Sequence, residues 1–310
     1  MENIVIIGSG PAAYNAALYT MRGNPLLFEG GYIGNNGPGG QLTTTTSVDN
    51  YPGFPGGIEG PELTQLMKEH AVSRGLRVVK ETVSDVRKED EWFVVSSEKG
   101  EKKARIVIVA TGASARRLFV PGTGDDEFWQ KGVSSCAVCD GFIYVNKVTC
   151  VIGGGDAAME EGLYLSNIAK KVYIIHRRNE FRARSDMIEK ARNTENIEIM
   201  TPYVLERAEG TNKIKEIVVR NTETGETKTI PMDGVFFGIG HDPNTSFLKS
   251  VNVDLDSNGY IVVKDDACTS VPGLFAAGDV CDRKYRQAVT AAASGAICGI
   301  KAMEFLDKNK

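Results

Sequence analysis

The chain has 310 residues, 42% hydrophobic and 25% charged, with a net charge of −4. This length suits two domains with separate cores, and the composition is that of an ordinary globular protein. No basic run with interleaved aromatics points to nucleic acid, no apolar stretch reads as a membrane span, and six cysteines are too sparse for a disulfide scaffold.

The first predicted element is a strand at Ile4-Val5-Ile6-Ile7, which reads as buried strand rather than the core of a signal peptide. Gly8-Ser9-Gly10-Pro11-Ala12-Ala13 follows, then a helix to about Met21 and a second apolar run, Leu26-Leu27-Phe28, ending at Glu29. Strand, glycine turn, helix and strand make a βαβ unit. A glycine-rich loop covers 30–40, and a helix is predicted from about Pro61 to Ser73. Alternating segments from Val78 to Val95 lead to an apolar strand, Ile106 to Val109, that continues through Ala110-Thr111-Gly112.

The plan then recurs. Lys147 to Ile152 is a strand, Gly153-Gly154-Gly155-Asp156-Ala157-Ala158 a second glycine turn, and Lys171 to Ile175 the next strand. Strand-like segments from Ile197 to Val219 lead to Val235-Phe236-Phe237-Gly238-Ile239-Gly240. The fold class is therefore α/β, with two Rossmann-like dinucleotide-binding domains. Beyond the second lie Leu274-Phe275-Ala276-Ala277-Gly278-Asp279 and a small-residue helix from about Gln287 to Phe305. No third glycine turn follows Gly278, so this stretch is expected to rejoin the first domain. The second is then an insertion: 1–114 and 246–310 form one domain, 115–245 the other.

Three constellations carry chemistry. At Gly8, Gly10 and Ala13, the first glycine permits the turn, the second lets backbone approach a pyrophosphate, and the small third residue allows close helix packing. The helix N-terminus adds free N–H groups. About 20 residues on, Glu29 can accept hydrogen bonds from ribose hydroxyls; the bland alternative is a glycine turn that only packs well. At Gly153, Gly155 and Ala158 the turn repeats, but the following strand ends in His176-Arg177-Arg178, with Arg182 beyond. Guanidinium groups bind a 2′-phosphate where a carboxylate would repel it, which favours NADPH over NADH; the alternative is a solvated basic strand end. The third is Cys136-Ala137-Val138-Cys139-Asp140-Gly141. CxxC spacing closes a small disulfide ring suited to exchange. A zinc site needs two further ligands, and the other cysteines and the three histidines show no ligand spacing, so no metal is expected. Asp140 can move a proton during exchange or merely form an Asp-Gly turn. A cytoplasmic setting is the default for such a pair.

Two nucleotide modules and a CxxC resemble the pyridine nucleotide–disulfide oxidoreductases. The CxxC lies just before the second glycine turn rather than near the N-terminus, and this arrangement resembles the low-molecular-weight thioredoxin reductases over nearly the whole chain. The matching segments include Gly8 to Ala13, Pro38 to Thr46, Asn50 to Pro55, Ala110 to Ala113, Cys136 to Gly141, Gly153 to Asp156, His176 to Arg178 with Arg182, Ala277 to Val280 and Arg286-Gln287-Ala288. The Phe28-Glu29 strand end and the threonine run are similar to those of the fungal, plant and protist subgroup.

The resemblance implies FAD in the first domain and NADPH in the second. Gly8, Ser9, Gly10, Pro11 and Ala12 would hold the FAD pyrophosphate and Glu29 the ribose. Gly40, Gln41, Asn50, Val83, Ala110, Thr111 and Gly112 would line the site. Gly278 and Asp279 would take the ribityl chain, and Arg286, Gln287 and Ala288 the isoalloxazine edge. Gly153, Gly155, Asp156, Ala157, His176, Arg177, Arg178, Arg182, Ile239 and Gly240 would form the NADPH site. Cys139 would face the flavin, Cys136 would be more exposed, and Asp140 would be the acid–base group. The implied partner is thioredoxin and the implied assembly a homodimer, with rotation of the inserted domain about 113–120 and 243–248 between half-reactions. A flavin-dependent dithiol oxidase is a rival, opposed by His176-Arg177-Arg178; a redox sensor is another, opposed by the complete CxxC-Asp and both modules.

Overall fold

The computed structural model describes residues 1–31, 37–45, 47–265 and 267–309. Thr46 and part of the glycine-rich loop lie outside them. The chain divides into two compact units, Met1–Ser114 with Asp242–Lys310, and Ala115–His241.

In the first unit, the strand Glu2–Ile7 lies between Leu26–Phe28 and Gly100–Val109, parallel to both. Its run of Ile4 to Ile7 is almost wholly buried, as expected of a strand covered on both faces. Arg77–Val79 extends the sheet beyond Leu26–Phe28. Gly100–Val109 is long enough for two neighbours on its far edge: antiparallel Trp92–Ser97, with Val83–Glu89 beyond it, and parallel Leu274–Ala276. Side chains alternate between faces. Ile4, Ile6, Ile106 and Ile108 pack with the helices Pro11–Thr20 and Ala288–Lys308. Val5, Ile7, Val107 and Val109 pack with Leu248, Val251 and Ile261.

Register places the strand ends level. Ile7 stands opposite Phe28 and Val109, and Ala276 opposite Val109. The next residues are Gly8, Glu29, Ala110 and Ala277, so one sheet edge gathers both glycine-turn and strand-end motifs. In open α/β sheets this carboxyl edge is where ligands bind.

The second unit repeats the arrangement. Its five-stranded parallel sheet runs Ile197–Met200, Lys171–Ile175, Val148–Ile152, Gly234–Phe237, Val133–Ser134. Ile152 is level with Ile175 and Phe237, so Gly153, His176 and Gly238 come next along the edge. The helices Asp156–Ser166 and Ser185–Arg192 cover one face. The antiparallel strands Tyr203–Gly210, Ile214–Asn221 and Thr227–Pro231 make a second sheet that covers the other.

One expectation is corrected here. The helix Ala288–Lys308 is long and apolar enough, by length and composition, to cross a membrane. Its small residues serve close packing on helix Pro11–Thr20. A Cβ at Gly295 would lie 2.2 Å from the Ala12 carbonyl oxygen, and one at Gly299 2.8 Å from that of Ala16. It is a core helix of the first unit. Gly295→Ala is expected to force the two helices apart and destabilise this unit by about 1–3 kcal/mol. A lower urea midpoint is the expected reading; an unchanged midpoint contradicts the packing described.

Candidate active site

The first unit's edge is built around Gly8 (φ +126), where a Cβ would lie 2.1 Å from the Ala110 carbonyl oxygen. No other residue fits there. Ser9 is buried; its hydroxyl donates to the Glu29 carbonyl at 2.9 Å and accepts from the Gly39 N–H at 3.0 Å. The helix Pro11–Thr20 starts at extended Gly10 with no side-chain cap, which suits its first N–H groups to an anion. Cβ atoms at Gly40 or Gly112 would meet nothing within 4 Å, so backbone there is open to close approach.

Glu29 is buried and is not alone. Its Oε1 pairs with the Lys68 ammonium and accepts from the Tyr14 hydroxyl at 3.4 Å. With Gly30, Gly39 and Lys80 these residues line a cavity of about 270 Å³. Among the other expected residues, the Gln41 amide donates to the Ala113 carbonyl. Asn50 donates to the Gln287 side chain at 3.1 Å, and the Thr111 hydroxyl to the Asn244 carbonyl at 2.8 Å. The Val83 side chain packs in the sheet core.

Asp279 sits in the turn Gly278–Val280, which the Ser294 hydroxyl ties down by accepting from the Gly278 N–H at 2.8 Å. Its Oδ1 is sealed from solvent without a hydrogen-bond partner. Burial, and then the nearby Asp282 carboxylate, push its pKa up to about 7, against the pull of Arg286. A polar atom held this way is costly unless a ligand hydroxyl meets it. The following loop is held by Asp282, which accepts from the N–H groups of Lys284 and Tyr285 at 2.9 Å each and of Arg286 at 3.2 Å. Arg286 is thereby fixed at φ +49, and Gln287 caps helix Ala288–Lys308. The Cys281 thiol is pushed up to about 12 by burial, Asp282 and Asp279, which leaves it a poor nucleophile.

The second unit's edge has the same close approach: a Cβ at Gly153 would lie 2.3 Å from the Gly238 carbonyl oxygen. Helix Asp156–Ser166 begins at extended Gly155, again without a side-chain cap. Asp156 accepts from the Arg184 N–H at 2.8 Å, and the Gly154 carbonyl accepts from the Arg182 N–H at 2.8 Å. These bonds bring the loop of Arg182 against the glycine turn. His176 is buried against Gly154 and stacks on Phe181 with ring centroids 5.1 Å apart. Burial lowers its pKa, so the positive charge comes from Arg177, Arg178 and Arg182, all exposed. Ile239 and Gly240 continue the edge; the Gly240 carbonyl accepts from the Arg116 N–H at 2.9 Å.

Cys136 and Cys139 form a disulfide, with Cα atoms 5.3 Å apart, at the helical turn Ala137–Asp140. Both cysteines are half-buried. Strand Val133–Ser134 leads into the turn, and the Ser134 hydroxyl donates to Asp140 Oδ2 while accepting from the Cys136 N–H at 3.1 Å. Burial raises the pKa of Asp140, and the Ser134 bond opposes this. A half-buried carboxyl with a raised pKa beside two sulfurs is suited to proton transfer. Val138, Phe142, Ile143 and Val145 are exposed around the turn. Among the described residues no three His, Cys, Asp or Glu side chains group as a metal site.

Known proteins are similar to this chain over nearly its whole length. The family described as pyridine nucleotide-disulphide oxidoreductase matches residues 2–295. A thioredoxin reductase of Chlamydia pneumoniae is 48% identical, over 98% of this chain and 99% of that protein. One from Debaryomyces hansenii is 42% identical, over 100% and 98%. The solved structure of a thioredoxin reductase from Giardia duodenalis superposes with a TM-score of 0.92 at 40% identity, covering 98% of each chain. The chain belongs to the pyridine nucleotide-disulphide oxidoreductases, in the thioredoxin reductase branch.

Several residues at these edges carry no signal in the sequence. Lys68, Tyr14 and Ser134 are ordinary helix or strand residues until the fold brings them to Glu29 and Asp140. Asp279 yields the next prediction. Its raised pKa means that the carboxyl favours folding while neutral and opposes it once ionised, so its contribution is lost as pH rises through about 7. In the cofactor-free protein, Asp279→Asn should therefore raise stability by on the order of 2–4 kcal/mol at neutral pH. The gain should disappear in mild acid, below the ordinary carboxylate pKa. Urea unfolding at both pH values checks it; an equal effect at both would contradict the burial of that oxygen.

Proposed function

We propose that the protein reduces oxidised thioredoxin with electrons from NADPH, through FAD and the Cys136–Cys139 pair. The observation that carries this reading is the disulfide beside half-buried Asp140, in the same unit as the arginine-rich nucleotide edge. FAD, when bound, supplies the two-electron chemistry between nicotinamide and disulfide.

The first unit is the FAD domain in this reading. Gly8 to Ala12 hold the pyrophosphate, Glu29 the ribose, Asp279 a ribityl hydroxyl, and Arg286 to Ala288 the ring edge; Gly40, Gln41, Asn50, Ala110 to Gly112 and Gly278 complete the site. Val83, whose side chain is in the core, is left to contribute through its backbone. The second unit is the NADPH domain. Gly153 to Ala157 hold the pyrophosphate, and Ile239 and Gly240 flank the nicotinamide side. Arg177, Arg178 and Arg182 take the 2′-phosphate, with His176 shaping the floor beneath them.

Reduction of the Cys136–Cys139 bond by two electrons leaves two sulfurs. One, as thiolate, attacks the substrate disulfide. The substrate S–S bond breaks, a mixed disulfide forms, and one substrate sulfur departs as thiolate. The second protein sulfur then attacks the first, closing Cys136–Cys139 and expelling the other substrate sulfur. The substrate gains two electrons and two protons, and Asp140 relays a proton to a departing sulfur. Val138, Phe142, Ile143 and Val145 offer the apolar rim against which a disulfide protein can seat.

Both the disulfide and the NADPH edge belong to one unit, and both must reach one flavin in the other. Rotation about the crossings near 113–120 and 243–248 satisfies this need. A homodimer is supported by the exposed apolar stripe of Val289, Ile297 and Ile300 on helix Ala288–Lys308, with Tyr19 on the helix packed against it. A cytosolic setting suits a dithiol that must remain reducible.

NADPH oxidation by the FAD-loaded protein should depend on oxidised thioredoxin and fall to background in Cys136→Ser and in Cys139→Ser. Flavin reduction without any response to thioredoxin would move the substrate to another disulfide. Arg177→Ala with Arg178→Ala should raise the KM for NADPH by about 10–100-fold, the loss of charge-assisted bonds to one phosphate. The KM for NADH should stay within a factor of a few, and parallel loss for both nucleotides would contradict the assignment.

A further inference from the structure

We propose that Ser134 is a positioning residue for the disulfide chemistry: it ties the Asp140 carboxylate to the backbone of the Cys136 turn and selects which protonation state of that carboxylate the turn favours. The inference rests on the reading above that Asp140 moves protons for Cys136 and Cys139.

Ser134 ends the short strand Val133–Ser134, held by parallel pairing with Phe236, and is buried. A hydroxyl has one proton and two lone pairs. The Cys136 N–H, 3.1 Å away, can only donate and therefore occupies a lone pair. The hydroxyl proton goes to Asp140 Oδ2. This arrangement pairs with an ionised carboxylate. A protonated Asp140 must either turn its O–H away or donate to the remaining lone pair, and the Ser134 proton then loses its acceptor in a buried site, which is costly.

Burial and the Ser134 bond are the two opposing influences on Asp140. Tyr144, in the next turn, is kept neutral, its pKa pushed up to about 12 by burial, Asp140 and Asp233. Lys147 lies over the Tyr144 ring, 5.5 Å from its centroid. Helix Asp156–Ser166 places Tyr164 against Gly141 and carries Glu160 and Glu161. Once reduced, the Cys136 and Cys139 sulfurs titrate as well and couple to Asp140. The Ser134 hydroxyl thus links the acid's side chain to the backbone of the cysteine turn.

The test is the pH profile of one step: reoxidation of the two-electron-reduced, FAD-loaded protein by oxidised thioredoxin, in wild type, Ser134→Ala, Ser134→Thr and Asp140→Asn. The inflection that Asp140→Asn abolishes should move to higher pH by about one unit in Ser134→Ala. It should return towards the wild-type position in Ser134→Thr, which keeps the hydroxyl. A profile altered by Asp140→Asn but unmoved by Ser134→Ala overturns the role of Ser134 alone. A profile that Asp140→Asn leaves unchanged overturns the proton role of Asp140, and this inference with it.

Discussion

The close approach of backbone at the strand end that leads into each unit's glycine turn is the constraint on which the rest depends. A Cβ would lie 2.1 Å from a carbonyl oxygen at Gly8 and 2.3 Å from one at Gly153. Only glycine lets the neighbouring strand end at Ala110, or at Gly238, pass so near. That passage brings the helix N-terminus, the second strand end and the third strand end to one edge. Without it the phosphate-binding turn, the Glu29 or His176-Arg177-Arg178 strand end and the adjoining loops would not converge.

On this shared frame the two units differ in charge. The first sets a carboxylate at its second strand end and holds it with Lys68 and Tyr14. The second sets exposed guanidinium groups at the same place. In the proposed reading, the same backbone would discriminate between a ribose with free hydroxyls and one bearing a phosphate. The redox turn occupies a third position, just ahead of the second unit's first long strand, and its acid is held by a residue of the strand that leads into it. Each chemistry is local to a few residues, while the sheet supplies their placement.

Much of this was legible because it is local. Glycine spacing, the apolar runs on either side and the charge at the strand end lie within about 20 residues of one another, and the strands and helices formed close to where periodicity placed them. What depended on distant residues was not legible. Lys68 reaches Glu29 across 39 positions. The sealed oxygen of Asp279 is a product of packing. Val83 alternates with solvent-facing neighbours and so turns into the core.

The central claim is that the Cys136–Cys139 disulfide and a flavin bound by the same chain exchange electrons. Anaerobic titration of the FAD-loaded protein with a chemical reductant tests it most directly. The wild-type protein should take up two two-electron equivalents, one for the flavin and one for the disulfide, and Cys139→Ser only one. Uptake of a single equivalent by both proteins, with the disulfide left intact, would contradict the account.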